Sequence, residues 1–371
     1  MAAERLTVLG VADGRSLNVM RWGRRLADLG HDVHLATTRM PRPGEGGSIT
    51  AHDLLERGAF ARVPVLRRRR FARAIAELAR EVGADVMHAH YLLPWGYWAA
   101  QADFHPLVMS PWSREIFVDA EKGRGRRRAM AALAAADYLV TNSRANERVS
   151  ASLGADPERM RQIIWYAELE RFSPEHADSG LRSRLGWPDD ALVVLSLRNF
   201  RPYTNLDVLV RAFARVTAVE PRLRLLMASR GGSIRDEIER LVDDLGIRDR
   251  TVIQQVAHAD LPRVVAAADL AVTIADTDST PASLLETMAS RLPVVAGHAP
   301  SIDEWVDQGE GAELVDGRSE DAVAEALRKL AGDAELRRRY GERNERVVRE
   351  RLSEPGPALE ALYRELLNGT R

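Results

Sequence analysis

The sequence predicts an α/β protein of two serial domains, each built around a parallel sheet. Short apolar or β-branched runs alternate with helical patterns along almost the whole chain, and this alternation is typical of parallel sheets. The 371 residues exceed the usual size of one domain. A polar stretch at 166–180 has few periodic apolar positions and separates two series of predicted strands. We therefore expect the domain boundary in that stretch.

The first series of strands precedes the polar stretch and alternates with helical segments. The predicted strands are Leu6–Leu9, Val33–Thr37, Val86–Ala89, Leu107–Ser110, Tyr138–Thr141 and Gln162–Ile164. The predicted helices between them include Val19–Leu29, Phe71–Val82 and Arg126–Ala135. The segment 39–49 is rich in Pro and Gly and is predicted to be a mobile loop over this domain.

The second series of strands begins at residue 192. Its predicted strands are Leu192–Leu197, Leu223–Ala228, Val252–Val256, Leu270–Ile274, Val294–Ala296 and Ala312–Val315. After Glu320 the pattern is helical, and 357–367 is the last predicted helix. Ligands of open parallel sheets bind beyond the carboxyl ends of the strands, so we expect the site residues in the loops that follow them.

The composition limits the class of function. The net charge is −1 with 29% charged residues, so no overall field favours nucleic acid as a partner. The sequence has no cysteine, which excludes disulfides and thiolate chemistry. No segment has the ~20 apolar residues that a membrane-spanning helix needs, and the first residues do not read as a secretory signal. We therefore expect a soluble cytoplasmic protein.

The most informative segment is 276–297, which reads DTDSTPASLLETMASRLPVVAG and predicts a loop, a helix and a buried strand. Thr280 is a candidate N-cap, and Pro281 suits the first helical turn, where its missing N–H costs nothing. The unpaired N–H groups at a helix start suit a phosphate. Asp278 and Glu286 lie eight residues apart, a spacing that suits two different parts of an elongated ligand. The alternative is the capped amphipathic helix of any α/β protein.

This segment resembles the acidic-x7-Glu motif of the retaining glycosyltransferases of family 4. Asp278 stands where those enzymes usually have the first Glu, and 291–293 reads Arg-Leu-Pro where Gly-x-Pro is usual. The resemblance implies the GT-B fold, in which two Rossmann-like domains face a central cleft and a C-terminal helix crosses back to the first domain. The implied domains are 1–170 for the acceptor, 171–352 for the nucleotide-sugar donor and 353–371 for the crossing helix.

The resemblance places the donor site in the second domain. Arg198 matches an arginine of the family, Thr204 stands where a lysine is usual, and Arg201 can substitute for that lysine. Two guanidinium groups in one turn suit a leaving diphosphate, and solvent-exposed loop arginines are the alternative. Asp278 is implied to hold the sugar hydroxyls, and Glu286 the ribose diol. The backbone of Val256–His258 is implied to meet the nucleobase. The other implied donor contacts are Arg230, Gly231, Val256, Ser279, Thr280, Ser283 and Leu284.

The resemblance implies that the residues that bind the acceptor lie in loops after strands of the first domain. Asn18 stands where many relatives have a His, and it cannot carry a proton near neutral pH. His88 and His90 share one face of a strand. The resemblance implies that His90 lies near the acceptor. A structural role and a metal-binding role are the alternatives. Ser113, Arg114 and Glu115 stand where relatives have the Gly, Ser and Asp of a Trp-Gly-Ser-Asp pattern, and this departure is expected to change acceptor choice or to weaken catalysis. The implied acceptor-side residues are Gly14, Asn18, Arg21, Trp112, Ser113 and Arg114.

The implied function is transfer of a hexose from a UDP- or GDP-linked sugar to a hydroxyl acceptor with retention of configuration. The implied catalytic residues are Arg198, Arg201, Asp278 and His90, and the leaving diphosphate takes the acceptor proton. No cofactor and no metal is expected. Asp276-Thr277-Asp278 is interpreted as a loop that faces the sugar, and a metal site at this pair of carboxylates is the alternative. The acceptor is a glycan, a lipid-linked sugar or a small molecule of secondary metabolism. A catalytically degenerate sugar-nucleotide binding protein is the alternative.

Two basic runs, Arg67–Arg70 and Lys122–Arg128, lie in the predicted acceptor domain. A charge run before a helix is usually a solvated face. Basic surface near a lipid-linked acceptor also suits weak peripheral contact with the inner face of an anionic membrane. Both interpretations remain open from the sequence.

Overall fold

The structure is a computed structural model that describes residues 4–57, 64–112, 115–229, 231–352 and 355–369. The chain divides into two compact units, one of residues 1–166 with 354–371 and the other of residues 167–353. Each unit contains a seven-stranded sheet whose strands pair in parallel. The predicted α/β class with two parallel sheets is therefore confirmed.

The sheet of the first unit has the strand order β3-β2-β1-β4-β5-β6-β7. Its strands are β1 (Thr7–Val11), β2 (Asp32–Thr37), β3 (Ile49–Asp53), β4 (Val86–His90), β5 (Leu107–Ser110), β6 (Tyr138–Thr141) and β7 (Met160–Gln162). The apolar pattern did not predict β3, because its sequence Ile-Thr-Ala-His-Asp holds only one long apolar side chain. β7 begins and ends two residues before the predicted strand. Its last pair with β6 joins Gln162 to Thr141, and the buried residues that follow are no longer in the sheet.

Helices of the first unit follow the strands along the chain. They are α1 (Leu17–Asp28), α2 (Pro64–Glu81), α3 (Tyr97–Ala100), α4 (Gly123–Ala135) and α5 (Arg144–Ser152). The prediction that Arg67–Arg70 precedes a helix is wrong, because this run lies inside α2. Arginine is a strong helix former, so a basic run extends the helix beyond its apolar stripe.

The sheet of the second unit has the order β10-β9-β8-β11-β12-β14-β13. Its strands are β8 (Leu192–Ser196), β9 (Leu223–Ala228), β10 (Thr251–Gln254), β11 (Leu270–Thr273), β12 (Val294–Gly297), β13 (Asp307–Gln308) and β14 (Gly311–Val315). The sequence did not predict β13, whose two residues are polar and exposed. Strands β8, β9, β11 and β12 are almost fully buried, as continuous apolar runs predict for the centre of a parallel sheet.

Helices of the second unit are α6 (Leu181–Arg184), α7 (Leu206–Thr217), α8 (Arg235–Asp244), α9 (Leu261–Ala266), α10 (Ala282–Ala289), α11 (Glu320–Gly332) and α12 (Ala334–Arg351). The predicted cap of α10 is wrong by one position, because Pro281 is the N-cap and Thr280 precedes it. Pro281 is extended, with φ −68° and ψ 132°, and Thr280 has a positive φ of 27°. A non-glycine residue with positive φ is strained, which fits a loop held in place by other contacts.

The last described helix, α13 (Pro355–Gly369), belongs to the first unit and packs on α1. The indole N–H of Trp22 in α1 donates a 3.0 Å hydrogen bond to the hydroxyl of Tyr363, and both side chains are fully buried. Within the described ranges, no helix has the length and apolar character needed to cross a membrane.

Candidate functional site

Most of the predicted donor residues follow neighbouring strands of the second sheet. The loop after β8 carries Arg198 and Arg201, the loop after β10 carries Val256, and the loop after β11 carries Asp278. Because parallel strands end at the same edge of a sheet, these loops share one edge. Arg230 lies outside the described residues, whereas Gly231 beside it is described and half-buried.

Arg198 and Asp278 form an ion pair at this edge. Nη2 of Arg198 lies 2.6 Å from Oδ2 of Asp278, and their side chains are only 14% and 11% exposed. Arg198 also lines a small cavity with Ser283 and Leu284, from the first turn of α10. The N–H groups of Leu284 and Leu285 donate to the carbonyl of Pro281. The start of a helix carries positive partial charge, so this corner combines a cation, a carboxylate and a helix end that favours anions.

The loop from Asp278 to Thr280 is fixed by side chains of a later segment. The hydroxyl of Ser301 donates to the carbonyl of Asp278 and accepts the N–H of Thr280, each at 2.8 Å. The indole N–H of Trp305 donates to the hydroxyl of Thr280 at 3.2 Å. The N–H of Ser279 donates to the Asp278 carboxylate at 2.8 Å. These bonds account for the strained φ of Thr280 and hold the carboxylate in one orientation.

Glu286 lies in the second turn of α10 and is 3% exposed. The buried carboxylate follows the helix start by one turn, so it lies on the element that carries Ser283 and Leu284. The structure therefore brings Arg198, Ser283 and Leu284 together and sets Asp278 against Arg198.

The loop after β8 is closed by its own side chains. The hydroxyl of Thr204 lies 2.6 Å from the carbonyl of Arg201, to which it donates. Thr204 is fully buried, so its hydroxyl is committed to this turn. Arg201 is exposed. A Cβ at Gly232 would lie 2.0 Å from the carbonyl oxygen of Phe200, so only glycine allows the next loop to approach this closely.

Asp276 was predicted to face a sugar, with a metal role as the alternative, but its carboxylate is bound by other side chains. Nε and Nη2 of Arg318 donate to it at 2.9 and 2.7 Å. Nδ2 of Asn205 donates to it at 2.8 Å. The Arg318 guanidinium holds the pKa of this carboxyl below its usual value. Among the described residues, no group of three His, Asp or Glu side chains is arranged to hold a metal ion.

The residues after β10 were predicted to meet a nucleobase through their backbone. Val256 lies in a groove that is also lined by Gln254, Gln255 and Ala257. His258 lies in the turn that follows, and its side chain is 26% exposed. Its Nε2 lies 2.8 Å from Oε2 of Glu168, and its carbonyl accepts a 2.9 Å hydrogen bond from Arg171.

Strand β4 of the first unit ends in two buried histidines with different surroundings. The hydroxyl of Tyr363 accepts from Trp22 and is hydrogen-bonded to Nδ1 of His88 at 2.6 Å. Nε2 of His88 is hydrogen-bonded to the hydroxyl of Ser110 at 2.7 Å. His88 is therefore a structural residue. His90 stacks on it with ring centroids 4.3 Å apart.

No described residue hydrogen-bonds to either ring nitrogen of His90. The ring is fully buried, and its burial lowers the pKa of His90 to about 3. Trp22 and Trp165 pack edge-on against it. A neutral imidazole in this enclosure can donate or accept a hydrogen bond, but it carries no charge at neutral pH.

The other predicted acceptor-side residues have mixed surroundings. The N–H of Gly14 donates to the hydroxyl of Thr37 at 3.0 Å, and a Cβ at Gly14 would lie 2.5 Å from a main-chain oxygen of Arg39. Asn18 is half-buried in the first turn of α1. Arg21 is buried and donates to the main-chain carbonyl of Tyr166, so its guanidinium has a structural contact.

Trp112 is 6% exposed and stacks on Tyr91, with centroids 5.5 Å apart. Ser113 and Arg114 lie outside the described residues. Glu115 was not predicted as a site residue, yet its buried carboxylate accepts the N–H of Trp112 and, at 3.4 Å, that of Leu92. Burial raises the pKa of Glu115 to about 7. The sequence signal for Glu115 was its place in the Trp-Gly-Ser-Asp pattern, where it stands in the position of the Asp.

The second predicted basic run lies at the exposed start of α4. Lys122, Arg124 and Arg127 are exposed, and Met130 on the same helix is 41% exposed. In the first run, Arg69 and Arg70 are exposed within α2. Contact of these residues with an anionic membrane stays a prediction.

Comparison with known proteins identifies the family. The model of "Glycosyl transferases group 1" matches residues 179–347, and that of "Glycosyltransferase Family 4" matches residues 16–163. The D-inositol 3-phosphate glycosyltransferase of Acidothermus cellulolyticus is 32% identical over 86% of this chain and 78% of its own. That of Stackebrandtia nassauensis is 31% identical over 89% and 81%. The chain belongs to the family 4 glycosyltransferases.

Solved structures support the fold of this family 4 glycosyltransferase. Sucrose-phosphate synthase from Thermosynechococcus elongatus has a TM-score of 0.82 and 20% identity, covering 99% of this chain and 100% of that one. The Anabaena protein Alr3699/HepE, solved in complex with UDP and glucose, has a TM-score of 0.81 and 18% identity, covering 98% and 100%. The predicted family and its GT-B fold are confirmed, and the enzyme is a glycosyltransferase. The roles of the individual site residues stay predictions.

Proposed function

We propose that this enzyme transfers a hexose from a nucleoside diphosphate sugar to a hydroxyl acceptor with retention of anomeric configuration. The observation that carries the proposal is the Arg198–Asp278 ion pair beside the start of α10. It joins a cation that suits phosphate to a carboxylate that suits hydroxyl groups, at a helix end that favours anions. A sugar diphosphate offers both kinds of group in one molecule.

In the proposed reaction, the bond between the sugar C1 and the diphosphate oxygen breaks, and a bond from C1 to the acceptor oxygen forms on the same face. The acceptor proton passes to an oxygen of the leaving diphosphate. Arg198, Arg201 and the first N–H groups of α10 stabilise the charge that develops on the diphosphate. Asp278 holds the sugar hydroxyls, and Glu286 the ribose diol. The enzyme needs no nucleophilic side chain.

His90 serves in this proposal as a neutral hydrogen-bonding group for the acceptor. A pKa of about 3 makes proton transfer through a charged imidazole unfavourable at neutral pH. Its complete burial means that an acceptor must displace a neighbouring side chain to reach it. The deprotonation step is therefore assigned to the diphosphate.

The proposed donors are UDP- and GDP-linked sugars, used without a cofactor or a metal. The Anabaena neighbours solved with UDP and with UDP-glucose make UDP-glucose the first donor to test. Arg198, Arg201 and the start of α10 supply the positive charge that Mg²⁺ supplies elsewhere. The curated relatives are D-inositol 3-phosphate glycosyltransferases, so a phosphorylated cyclic polyol is the first acceptor to test.

A sugar-nucleotide binding protein without turnover is the second candidate. It is favoured by Thr204, whose hydroxyl is committed to its own turn and replaces the usual lysine of the resemblance. Asn18 likewise cannot transfer a proton near neutral pH. Both candidates predict binding of a nucleoside diphosphate, and only the enzyme predicts product.

The first test is thermal stabilisation by UDP, GDP, ADP, dTDP and their sugars, with Mg²⁺ and with a chelator. We expect one nucleotide family to stabilise the protein to the same extent in both conditions. Stabilisation that requires Mg²⁺ would contradict metal independence. No stabilisation by any compound would contradict the donor site.

Two variants test the assigned residues. Glu286→Ala should weaken donor affinity at least about tenfold, because a buried hydrogen-bonding carboxylate is lost. Arg198→Ala should lower kcat about a hundredfold, because charge on the leaving diphosphate loses a partner. Arg248→Ala removes an exposed arginine from the same unit and serves as the control. Wild-type affinity and turnover in both test variants would exclude this site.

A further inference from the structure

We propose that Asp276 is a positioning residue that sets the spacing between the two loops of the donor site. One loop is 198–205 after β8, which carries Arg198 and Arg201, and the other is 276–280 after β11, which carries Asp278. The inference rests on the proposed function, because it concerns how the loops that would bind the diphosphate and the sugar are held relative to each other.

The Asp276 carboxylate joins three loops that are distant in sequence. Arg318, from the loop after β14, donates two hydrogen bonds to its two oxygens at 2.9 and 2.7 Å. Asn205, from the loop after β8, donates to Oδ1 at 2.8 Å and also to the carbonyl of Ile274 at 2.9 Å. The N–H of Asp276 donates to the carbonyl of Tyr203 at 2.9 Å. We call these contacts the Asp276 clasp.

The backbone at Asn205 supports this role. Asn205 has left-handed torsion angles, φ 52° and ψ 37°, at the N-cap position of α7, and its amide makes no cap hydrogen bond there. Asparagine tolerates this conformation better than most residues. The side chain that would normally cap its own helix is instead committed to the loop after β11. The helix end and the two loops are thereby fixed together.

The Asp276 clasp complements the ion pair of Arg198 and Asp278. That pair also joins the two loops, but both partners are the groups assigned to the donor, so a bound donor competes for them. The clasp uses side chains with no assigned donor contact. It therefore maintains the spacing of the loops while Arg198 and Asp278 rearrange around the diphosphate and the sugar.

The Arg318–Asp276 pair of the clasp is exposed enough to be removed without unfolding the unit, whereas Asn205 is buried. The side chains of Arg318 and Asp276 are 72% and 28% exposed, and exposed ion pairs contribute little to stability. A misplacement of about 1 Å in a site can nevertheless cost about a hundredfold in rate. Loss of the clasp should therefore affect turnover much more than folding.

A matched ion pair on α8 provides the control. Arg248 donates to both oxygens of Asp243 at 2.7 and 2.9 Å, in the same bidentate geometry and also exposed. Asp276→Ala and Asp243→Ala thus remove equivalent arginine–aspartate pairs from one unit. Asp276→Asn keeps an oxygen that can accept from Asn205, and it should be intermediate. Asn205→Gly keeps the left-handed backbone but loses the amide.

We expect Asp276→Ala and Asn205→Gly to lower kcat with UDP-glucose about ten- to a hundredfold, with less than about a threefold change in UDP affinity. Amide exchange in 199–204 and 277–280 should accelerate in both variants. Asp243→Ala should resemble the wild type in all three measurements. Wild-type kcat in the Asp276 and Asn205 variants, or a loss equal to that of Asp243→Ala, would overturn the clasp.

The two proposals fail in different ways. If the wild type neither binds UDP-sugars or GDP-sugars nor turns them over, the proposed function fails, and amide exchange alone still tests the clasp. Unchanged exchange in 199–204 and 277–280 of Asp276→Ala would then overturn it. If the wild type is active and exchange is unchanged, only the clasp fails.

Discussion

Glu115 joins the ends of two neighbouring strands of the first sheet through one carboxylate. It follows β5, and it accepts the N–H of Leu92 after β4 as well as the N–H of Trp112. The residue is only 6% exposed, and its burial opposes ionisation. A buried carboxylate near the acceptor side thus titrates close to neutral pH, although nothing in the proposed mechanism transfers its proton.

Glu115→Gln should change how stability depends on pH. The pKa rises from 4.5 to about 7 on folding, which corresponds to about 3 kcal/mol. Between pH 4.5 and about pH 7, the carboxyl has lost its proton in the unfolded chain and keeps it in the folded chain. The free energy of unfolding of the wild type therefore falls as the pH rises through this range, and it is constant above about pH 7. Gln does not titrate. We expect Glu115→Gln to gain up to about 3 kcal/mol relative to the wild type between pH 5 and pH 8.

Urea denaturation of both proteins at pH 5 and pH 8 measures this difference, and other titrating groups cancel in the comparison. Glu121→Gln, on an exposed residue of the same segment, is the control and should show no such gain. A constant difference between Glu115→Gln and the wild type at both pH values would contradict the buried, proton-retaining carboxylate.

Single residues of the site could be predicted where they belong to a recognised motif. Their contacts could not be predicted where the partners are remote in sequence. Arg198, Asp278 and Glu286 follow from the resemblance. The partners of Asp276 lie 71 residues before it and 42 residues after it, so no local pattern connects them. Glu115 was noticed as a departure from the family pattern, but its contacts could not be predicted, because the N–H groups that it accepts belong to two separate loops.

At the scale of elements, helix α12 carries a glycine where packing requires one. Gly341 lies within α12, and a Cβ at this position would be 2.0 Å from the carbonyl oxygen of Arg291. Glycine costs about 1 kcal/mol relative to alanine inside a helix. The close approach of α12 to the end of α10 offsets that cost.

Gly341→Ala and Gly332→Ala should therefore have opposite effects on stability. Gly332 ends α11, and a Cβ there would meet no atom within 4 Å. We expect Gly341→Ala to destabilise the protein by about 1 to 3 kcal/mol through overpacking. Gly332→Ala should stabilise it by up to about 1 kcal/mol. Urea midpoints measure both changes, and equal shifts of the same sign would refute the packing argument.

Strands were predictable where they are continuous and apolar. The bounds of β5, β6 and β9 agree with the sequence to the residue, because each is a mostly buried run bounded by polar residues or by proline. Strands β3 and β13 lie at sheet edges and have polar side chains, so hydrophobic periodicity does not reveal them. The start of α10 was misplaced by one residue because the hydrogen bonds of Ser301 and Trp305 hold Thr280 outside the helix.

For the whole molecule, the alternation of strands and helices was enough to predict two parallel-sheet domains. It could not predict that residues after 353 rejoin the first unit, because α13 reads as an ordinary amphipathic helix. Only the resemblance to family 4 implied that connection. The structure supplies the contacts that make it, through Tyr363 to Trp22 and His88.

Tyr363→Phe tests how much the contacts of Tyr363 contribute to the free energy of unfolding. It leaves the indole N–H of Trp22 and Nδ1 of His88 buried without their shared partner, which should cost about 1 to 3 kcal/mol. Tyr138→Phe is the control, because the ring of Tyr138 is half-buried and faces Arg161. Calorimetric unfolding of both variants gives the comparison. Equal stability of the two variants would mean that the hydroxyl of Tyr363 contributes nothing.

The arrangement of the first unit also determines when it can finish folding. A ribosome synthesises α13 after every residue of the second unit, so the second unit has its complete sequence before the first does. Until Tyr363 emerges, Trp22 and His88 lack their shared partner, and the face of α1 that α13 covers is open to solvent or to chaperones. Although the first unit begins the chain, its contacts with α13 can form only after the whole second unit has been synthesised.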